Sequence, residues 1–192
     1  MSLWGASTTD ESKPKHLTDA EKRDVYATKE GWVKRTAGTG GRAGRVHEEI
    51  LVAIGDLAGG TSATASLGTG TISSINWNIS AFDKSEGGTL SVTVNYNEEV
   101  TVTGTPQLTV VNNAKANHTL SYASGTGTNR LIFTLAIGAA NAATDAGNVL
   151  SVGANAMALN SGTVKDKGTN VTSTITNSAG IGTKAGTITV VA

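Results

Sequence analysis

The chain has 192 residues, no cysteine, and 15 basic against 15 acidic residues, which gives a formal net charge of +0. A chain of this length predicts one domain with an extension rather than two full domains. The balanced charge, without a long basic run, argues against a nucleic-acid surface, and the lack of cysteine excludes disulfides, a thiolate nucleophile and a cysteine zinc site. No apolar stretch reaches the ~20 residues that span a bilayer, and the N-terminus lacks the pattern of a signal peptide. We therefore expect no membrane partner. We also expect the chain to be made in the cytoplasm of the cell that produces it.

Charge is unevenly distributed along the chain. Residues 1–56 hold 9 of the 15 basic and 9 of the 15 acidic groups. Residues 57–71 are rich in Gly, Ser, Thr and Ala, a composition typical of a flexible linker. The sequence therefore predicts three parts: an N-terminal arm over 1–56, a linker over 57–71 and a domain over 72–192.

The arm contains one helical signal, LTDAEKRDVYAT at 17–28. Thr18 or Asp19 is placed to cap a helix, and Glu21 follows in its first turn. The arm otherwise offers isolated tryptophans and one short apolar run, which bury too little surface to offset the entropy of ordering. We expect an extended arm with one short helix that becomes ordered on a partner.

The large apolar side chains of the arm are the candidate partner contacts. Trp4 and Trp32 are the expected anchors, because large aromatic side chains dominate buried contacts between proteins. Trp77 is instead predicted to belong to the core or edge of the following domain. The full predicted contact set is Leu3, Trp4, Tyr26, Trp32, Val33, Ile50, Leu51, Val52 and Ile54.

The remainder of the chain reads as a series of short strands. Segments rich in Thr, Val, Ile and Leu alternate with Gly, Asn, Asp and Ser clusters at intervals of roughly ten residues. This pattern predicts an all-β fold, an antiparallel immunoglobulin-like β-sandwich in which one face of each strand is buried. The predicted core is Leu90, Val92, Val94, Tyr96, Leu131, Phe133, Leu135 and Ile137.

The residues that could carry chemistry fit plainer interpretations. His16, His47 and His118 show no metal-ligand spacing. The carboxylates Glu98, Glu99, Asp145 and Asp166 fall in or next to predicted turns, and without a compact D-x-D-x-D spacing turn chemistry is favoured over calcium binding.

Enzymatic motifs are likewise weak. Glu98 and Glu99 are adjacent, so on a strand they would point to opposite faces rather than act as a catalytic pair. The phrase GTGTN at 125–129 fits a hairpin turn better than a phosphate loop. No serine sits in a G-x-S-x-G elbow. We predict that the chain is not an enzyme, with no catalytic residue, no metal and no cofactor.

Three phrases, VTGTPQLTV, SGTGTNRLIFT and ALNSGTVKD, carry a resemblance. Residues 78–176, which contain them, resemble the bacterial immunoglobulin-like repeats of large surface adhesins, which are also borne on phage structural proteins. Adhesins carry such repeats in tandem, whereas this chain has one copy. The flanks, with MSLWGAS, EEILVAIGDLAG and AGIGTKAGTITVVA, are similar to small virion structural proteins of marine T4-like tailed phages.

The resemblance implies a place in a virus particle. A capsid decoration or cement protein would bind the major capsid protein, or other virion proteins, through its arm and display the sandwich outward, in several copies on the lattice. The alternative is an adhesion module on the neck, tail or fibres that binds host surface glycans. In that case the loops at 112–118 and 138–148 would carry the contacts.

Overall fold

The computed structural model describes residues 14, 17–18, 20–37, 45–59 and 67–192. Leu3, Trp4, His16 and Asp19 lie outside the described residues. The described chain is all-β, with one turn of 3-10 helix at Glu21–Arg23 and one short α-helix, α1, at Ala179–Lys184. Its strands are β1 Val25–Thr28, β2 Gly31–Ala37, β3 Val46–Ala53, β4 Ile72–Trp77, β5 Phe82–Asp83, β6 Gly88–Thr103, β7 Gln107–Asn112, β8 His118–Ser124, β9 Thr128–Ile137, β10 Val149–Ala158, β11 Thr163–Asp166 and β12 Thr187–Val191.

Strand β6 organises the sheet. Its first half pairs antiparallel with β4 on one side and β9 on the other, and its second half pairs antiparallel with β11. The path continues from β9 through β8, β7, β10 and β12 to β5. Two pairings are parallel, β1 with β6 and β12 with β5, so the sheet is mixed rather than purely antiparallel. The predicted all-β class is confirmed at this level.

The predicted core is largely confirmed. Seven of the eight predicted residues are buried in one hydrophobic cluster with side chains from β4 to β12. Leu135 is partly buried and packs against this cluster. The GTGTN phrase forms the β8–β9 hairpin, in which the Thr128 N–H donates to the Gly125 carbonyl at 3.1 Å. That prediction is confirmed too.

The helix predicted over 17–28 is wrong beyond its first turn. The capping signal is real, since the Glu21 N–H donates to Thr18 Oγ1 at 3.2 Å and the Thr18 N–H donates to Glu21 Oε2 at 3.0 Å. The helix ends at Arg23, and Val25–Thr28 enters β1 instead. Pairing with β2 gives the β-branched and aromatic side chains of this segment a buried face.

The described part of the predicted arm is therefore a folded antiparallel sheet, in the order β1–β2–β3, rather than an extended segment. It has its own hydrophobic cluster, separate from the larger cluster of β4–β12. Its buried members are Val25, Ala27, Trp32, Val52, Ile54 and Leu57. We call β1–β3 the N-terminal sheet and β4–β12 the sandwich domain. The second name keeps the predicted architecture, and the immunoglobulin-like sandwich itself stays a prediction.

The ends of the predicted linker are tied to the folded parts. The Ala58 N–H donates to the Thr28 carbonyl at 3.1 Å, and the Leu67 N–H donates to the Leu57 carbonyl at 2.9 Å. Farther on, the Thr71 N–H donates to Asn97 Oδ1 at 2.7 Å. Residues 57–59 thus pack with the N-terminal sheet, and residue 71 packs against β6.

Candidate functional site

A glutamate occupies an inward position in the middle of β6. Even-numbered residues of this strand, from Leu90 to Val102, face the core, and Glu98 continues that alternation between Tyr96 and Val100. Its side chain is 1% exposed, and its Oε1 atom has no hydrogen-bond partner. The prediction that Glu98 and Glu99 lie in or next to a turn is wrong, whereas the prediction that they point to opposite faces is confirmed, since Glu99 reaches Lys167 at the surface.

Asp166 on β11 is the neighbour of Glu98. The β6–β11 register places Asp166 opposite Val100, so Glu98, two residues farther along the same face, is its diagonal neighbour. Asp166 is also buried, and its Oδ1 accepts the Thr169 N–H at 2.6 Å. The turn role predicted for Asp166 is therefore confirmed.

The surroundings of Glu98 change the pKa of its carboxyl group. Burial first, and then the carboxyl group of Asp166, raise the pKa of Glu98 to about 9. At neutral pH the Glu98 carboxyl group is therefore protonated, and its O–H can donate to Asp166. Together the two residues form a buried carboxyl pair, which we call the Glu98–Asp166 pair.

The pair lies beside a cavity of about 530 Å³ between the N-terminal sheet and the sandwich domain. The backbones of Gly59 and Gly168 also come close beside it, since an added Cβ on Gly168 would lie 2.4 Å from the Gly59 Cα. The cavity is lined by Tyr26, Ala27, Thr28, Lys29, Arg35, Glu48, Ala58, Glu98, Glu99, Asp166, Lys167 and Gly168.

A polar network closes the other wall of this cavity. The Tyr26 hydroxyl donates to Glu48 Oε1 at 2.8 Å, and Arg35 donates to the same oxygen through Nη2 at 3.0 Å. The Arg35 guanidinium also lies 4.6 Å from the centre of the Tyr26 ring. Burial, followed by the bond to Glu48, raises the pKa of Tyr26 to about 12. The network joins β1, β2 and β3 without contacting Glu98.

Within the described residues, no three His, Cys, Asp or Glu side chains gather so that they could hold a metal ion. His118 begins β8 and is buried, and burial lowers its pKa. Asp145 bonds to Lys84 at 2.8 Å and to Lys115 at 2.9 Å. The second contact joins the loops at 112–118 and 138–148, and glycan binding by these loops stays a prediction.

Most of the predicted partner contacts are buried within the chain itself. Trp32 is 4% exposed, so in this fold it is a core residue of the N-terminal sheet and not an exposed anchor. Leu51 is partly buried. The other predicted contacts that pack inside the chain are Tyr26, Val33, Val52 and Ile54.

Strand β3 carries the remaining exposed apolar side chains of the N-terminal sheet. Ile50 is 49% exposed, and Val46, which the sequence reasoning missed, is 58% exposed. They lie four residues apart, so they share one face of the strand. The segment VHEEI at 46–50 places Val46 and Ile50 an even number of positions apart on a strand, and this spacing is the signal that could have identified Val46.

Strand β3 is also an edge. It pairs with β2 on one side and stands at the end of the strand path, so its other side has no strand partner among the described residues. A free edge offers a row of backbone N–H and C=O groups to a further strand. The eight residues of β3, including the exposed Val46 and Ile50, form the candidate attachment surface.

None of the helices in the described parts of the chain has the length and apolar character needed to cross a membrane. No family model, no curated protein and no solved structure matches this chain.

Proposed function

We propose that this chain is a structural, non-catalytic component of a tailed-phage particle. The N-terminal sheet attaches it to the major capsid protein or another virion protein, and the sandwich domain is displayed outward as in a decoration protein. The observation that carries the proposal is the free edge of β3 with its exposed Val46 and Ile50. The phage particle is proposed as the location because both ends of the chain resemble phage virion proteins.

The edge of β3 suits attachment by strand addition. A partner in extended conformation would gain backbone hydrogen bonds along the edge and would cover Val46 and Ile50. Glu49 projects from the same strand, and its cross-strand neighbour Lys34 is engaged by Glu21 at 3.2 Å. A partner strand with an apolar residue opposite Ile50 and a basic residue near Glu49 would complement this edge.

Attachment can be tested with a matched pair of variants. Val46→Lys places a charge on the edge of β3, whereas Val171→Lys makes the same change at a valine of similar exposure, 51%, in the sandwich domain. Particles lacking this chain are mixed with each purified variant, and the bound copies are counted by quantitative mass spectrometry. We expect Val46→Lys to reduce the bound copies at least tenfold, because it leaves a charge in a buried contact, and Val171→Lys to bind like the unmodified protein.

The copy number identifies the location. Hundreds of copies per particle would support decoration of the capsid lattice, and a dozen would place the chain at the neck, tail or fibres. Equal binding by the two variants would disprove attachment through β3, and absence from the particles would disprove the virion role.

A further inference from the structure

In the part of the chain that the structure describes, β1 and the residues just before it join the N-terminal sheet to the sandwich domain. Strands β1 and β6 share one pairing position, Ala27 with Glu98. Arg130 on β9 adds an ion pair with Asp24 and donates to the Arg23 carbonyl at 3.0 Å. The backbone contact between the two parts thus falls on the residue whose side chain belongs to the buried carboxyl pair.

The surroundings of Glu98 supply no compensating positive charge. Arg35 from β2 is engaged by Glu48 from β3, and Lys167 is engaged by Glu99 at 2.7 Å. Tyr26 and Lys29, from β1 and the turn after it, line the cavity, but neither shifts the pKa of Glu98. Among the described residues, the ionisable group that faces Glu98 directly is the carboxyl of Asp166.

Two carboxyl groups that are buried side by side without a cation can stay buried only while one of them is protonated. Ionising both would bring two like charges together in a poorly solvated place, which is strongly unfavourable. Moving the N-terminal sheet away from β6 would widen the neighbouring cavity, so that water could solvate both carboxylates and weaken this repulsion.

We propose that the Glu98–Asp166 pair is a proton-dependent latch, which holds the N-terminal sheet on the sandwich domain while the proton is present and loosens that junction when the proton leaves. The two hydrophobic clusters on either side are separate, so each part keeps its own core when the junction opens. The latch is a property of the isolated chain and does not depend on the proposed attachment to a particle.

The raised pKa of Glu98, about 9, gives the pH window. Below this pH the proton is bound and the junction is closed. Above it, the pair carries both negative charges and the junction opens. Tyr26 does not titrate in this window, because its pKa is raised to about 12.

Methyl NMR spectra of the full chain between pH 6 and pH 10.5 test the latch. We expect the signals of Val25, Val33 and Val52 in the N-terminal sheet to change with a midpoint near pH 9. The signals of Val110 and Val152, in the sandwich core, should stay constant. In Glu98→Gln, which keeps the shape but cannot ionise, the transition should disappear.

The controls separate this titration from others. Glu99→Gln changes the adjacent, partly exposed carboxyl group and should retain the transition, and Asp166→Asn provides a second variant that should shift it to lower pH by removing the neighbouring charge. Signals in the N-terminal sheet that do not respond to pH would overturn the proposal. So would an unchanged transition in Glu98→Gln.

Discussion

Glu98 shows how one residue can oppose the stability of the fold that buries it. Its inward position is fixed by the alternation of β6, which places it between Tyr96 and Val100. In the unfolded chain the pKa of a glutamate is near 4.5, and in the folded chain that of Glu98 is about 9. Between these values the folded state binds more protons than the unfolded state, so the free energy of unfolding falls as the pH rises.

This linkage predicts a pH-dependent difference between the protein and Glu98→Gln. Because Gln does not ionise, the variant should lose less stability than the unmodified protein between pH 5 and pH 9. The gap should grow by at most about 1.4 kcal/mol per pH unit. Urea unfolding at pH 5, 7 and 9 measures it. Glu99→Gln is the control, and parallel curves for Glu98→Gln and the unmodified protein would contradict the linkage.

At the scale of elements, the hairpin between β1 and β2 depends on one glycine. Gly31 has a φ of +129°, and an added Cβ would lie 2.0 Å from the Val52 carbonyl oxygen on β3. Gly55, in the turn after β3, has open space around it. The two glycines therefore offer a matched comparison within the same part of the chain.

We expect Gly31→Ala to destabilise the N-terminal sheet by more than about 1 kcal/mol, because a positive φ and a backbone clash coincide. Gly55→Ala should be nearly neutral. Thermal unfolding and hydrogen exchange of the β1 and β2 amides, measured on both variants, would distinguish Gly31→Ala from Gly55→Ala. Equal protection in both variants would show that the hairpin tolerates a side chain at residue 31.

The elements also show what the sequence predicts and where local patterns fail. Alternation predicted seven of the eight tested core residues, because period-2 patterns directly report which face of a strand is buried. The helix prediction for 17–28 failed because the capping signal accounts only for the first turn. Residues 25–28 instead pair with β2 in a hairpin and with the distant strand β6, and a helix-cap signal reports neither pairing. Glu98 and Asp166 are 68 positions apart, and no local pattern brings them together.

At the scale of the whole molecule, the two parts have separate cores. All residues of the larger cluster lie between Ile72 and Val190, and the smaller cluster is drawn from residues before that range. The sandwich domain thus does not need the N-terminal sheet to complete its hydrophobic core. Among the described residues, the pairing of β1 with β6 and the Arg130–Asp24 ion pair connect the two parts.

Deleting residues 1–56 should therefore leave a folded sandwich domain. We expect a dispersed amide NMR spectrum and a cooperative thermal transition. The stability should be lower than that of the intact chain, because the pairing of β1 with β6 and the Arg130–Asp24 ion pair are lost. A collapsed spectrum would show that the N-terminal sheet is required for folding.

The single pairing between β1 and β6 also has a mechanical meaning. If the edge of β3 is anchored and the sandwich domain is pulled outward, the strand pairing that bears the load among the described residues is the one position shared by β1 and β6, beside the contacts of Arg130 with Arg23 and Asp24. Strands β6 and β9, in contrast, share nine paired positions. Under tension the junction would yield first, and the sandwich domain would swing away intact before any of its own strands separated.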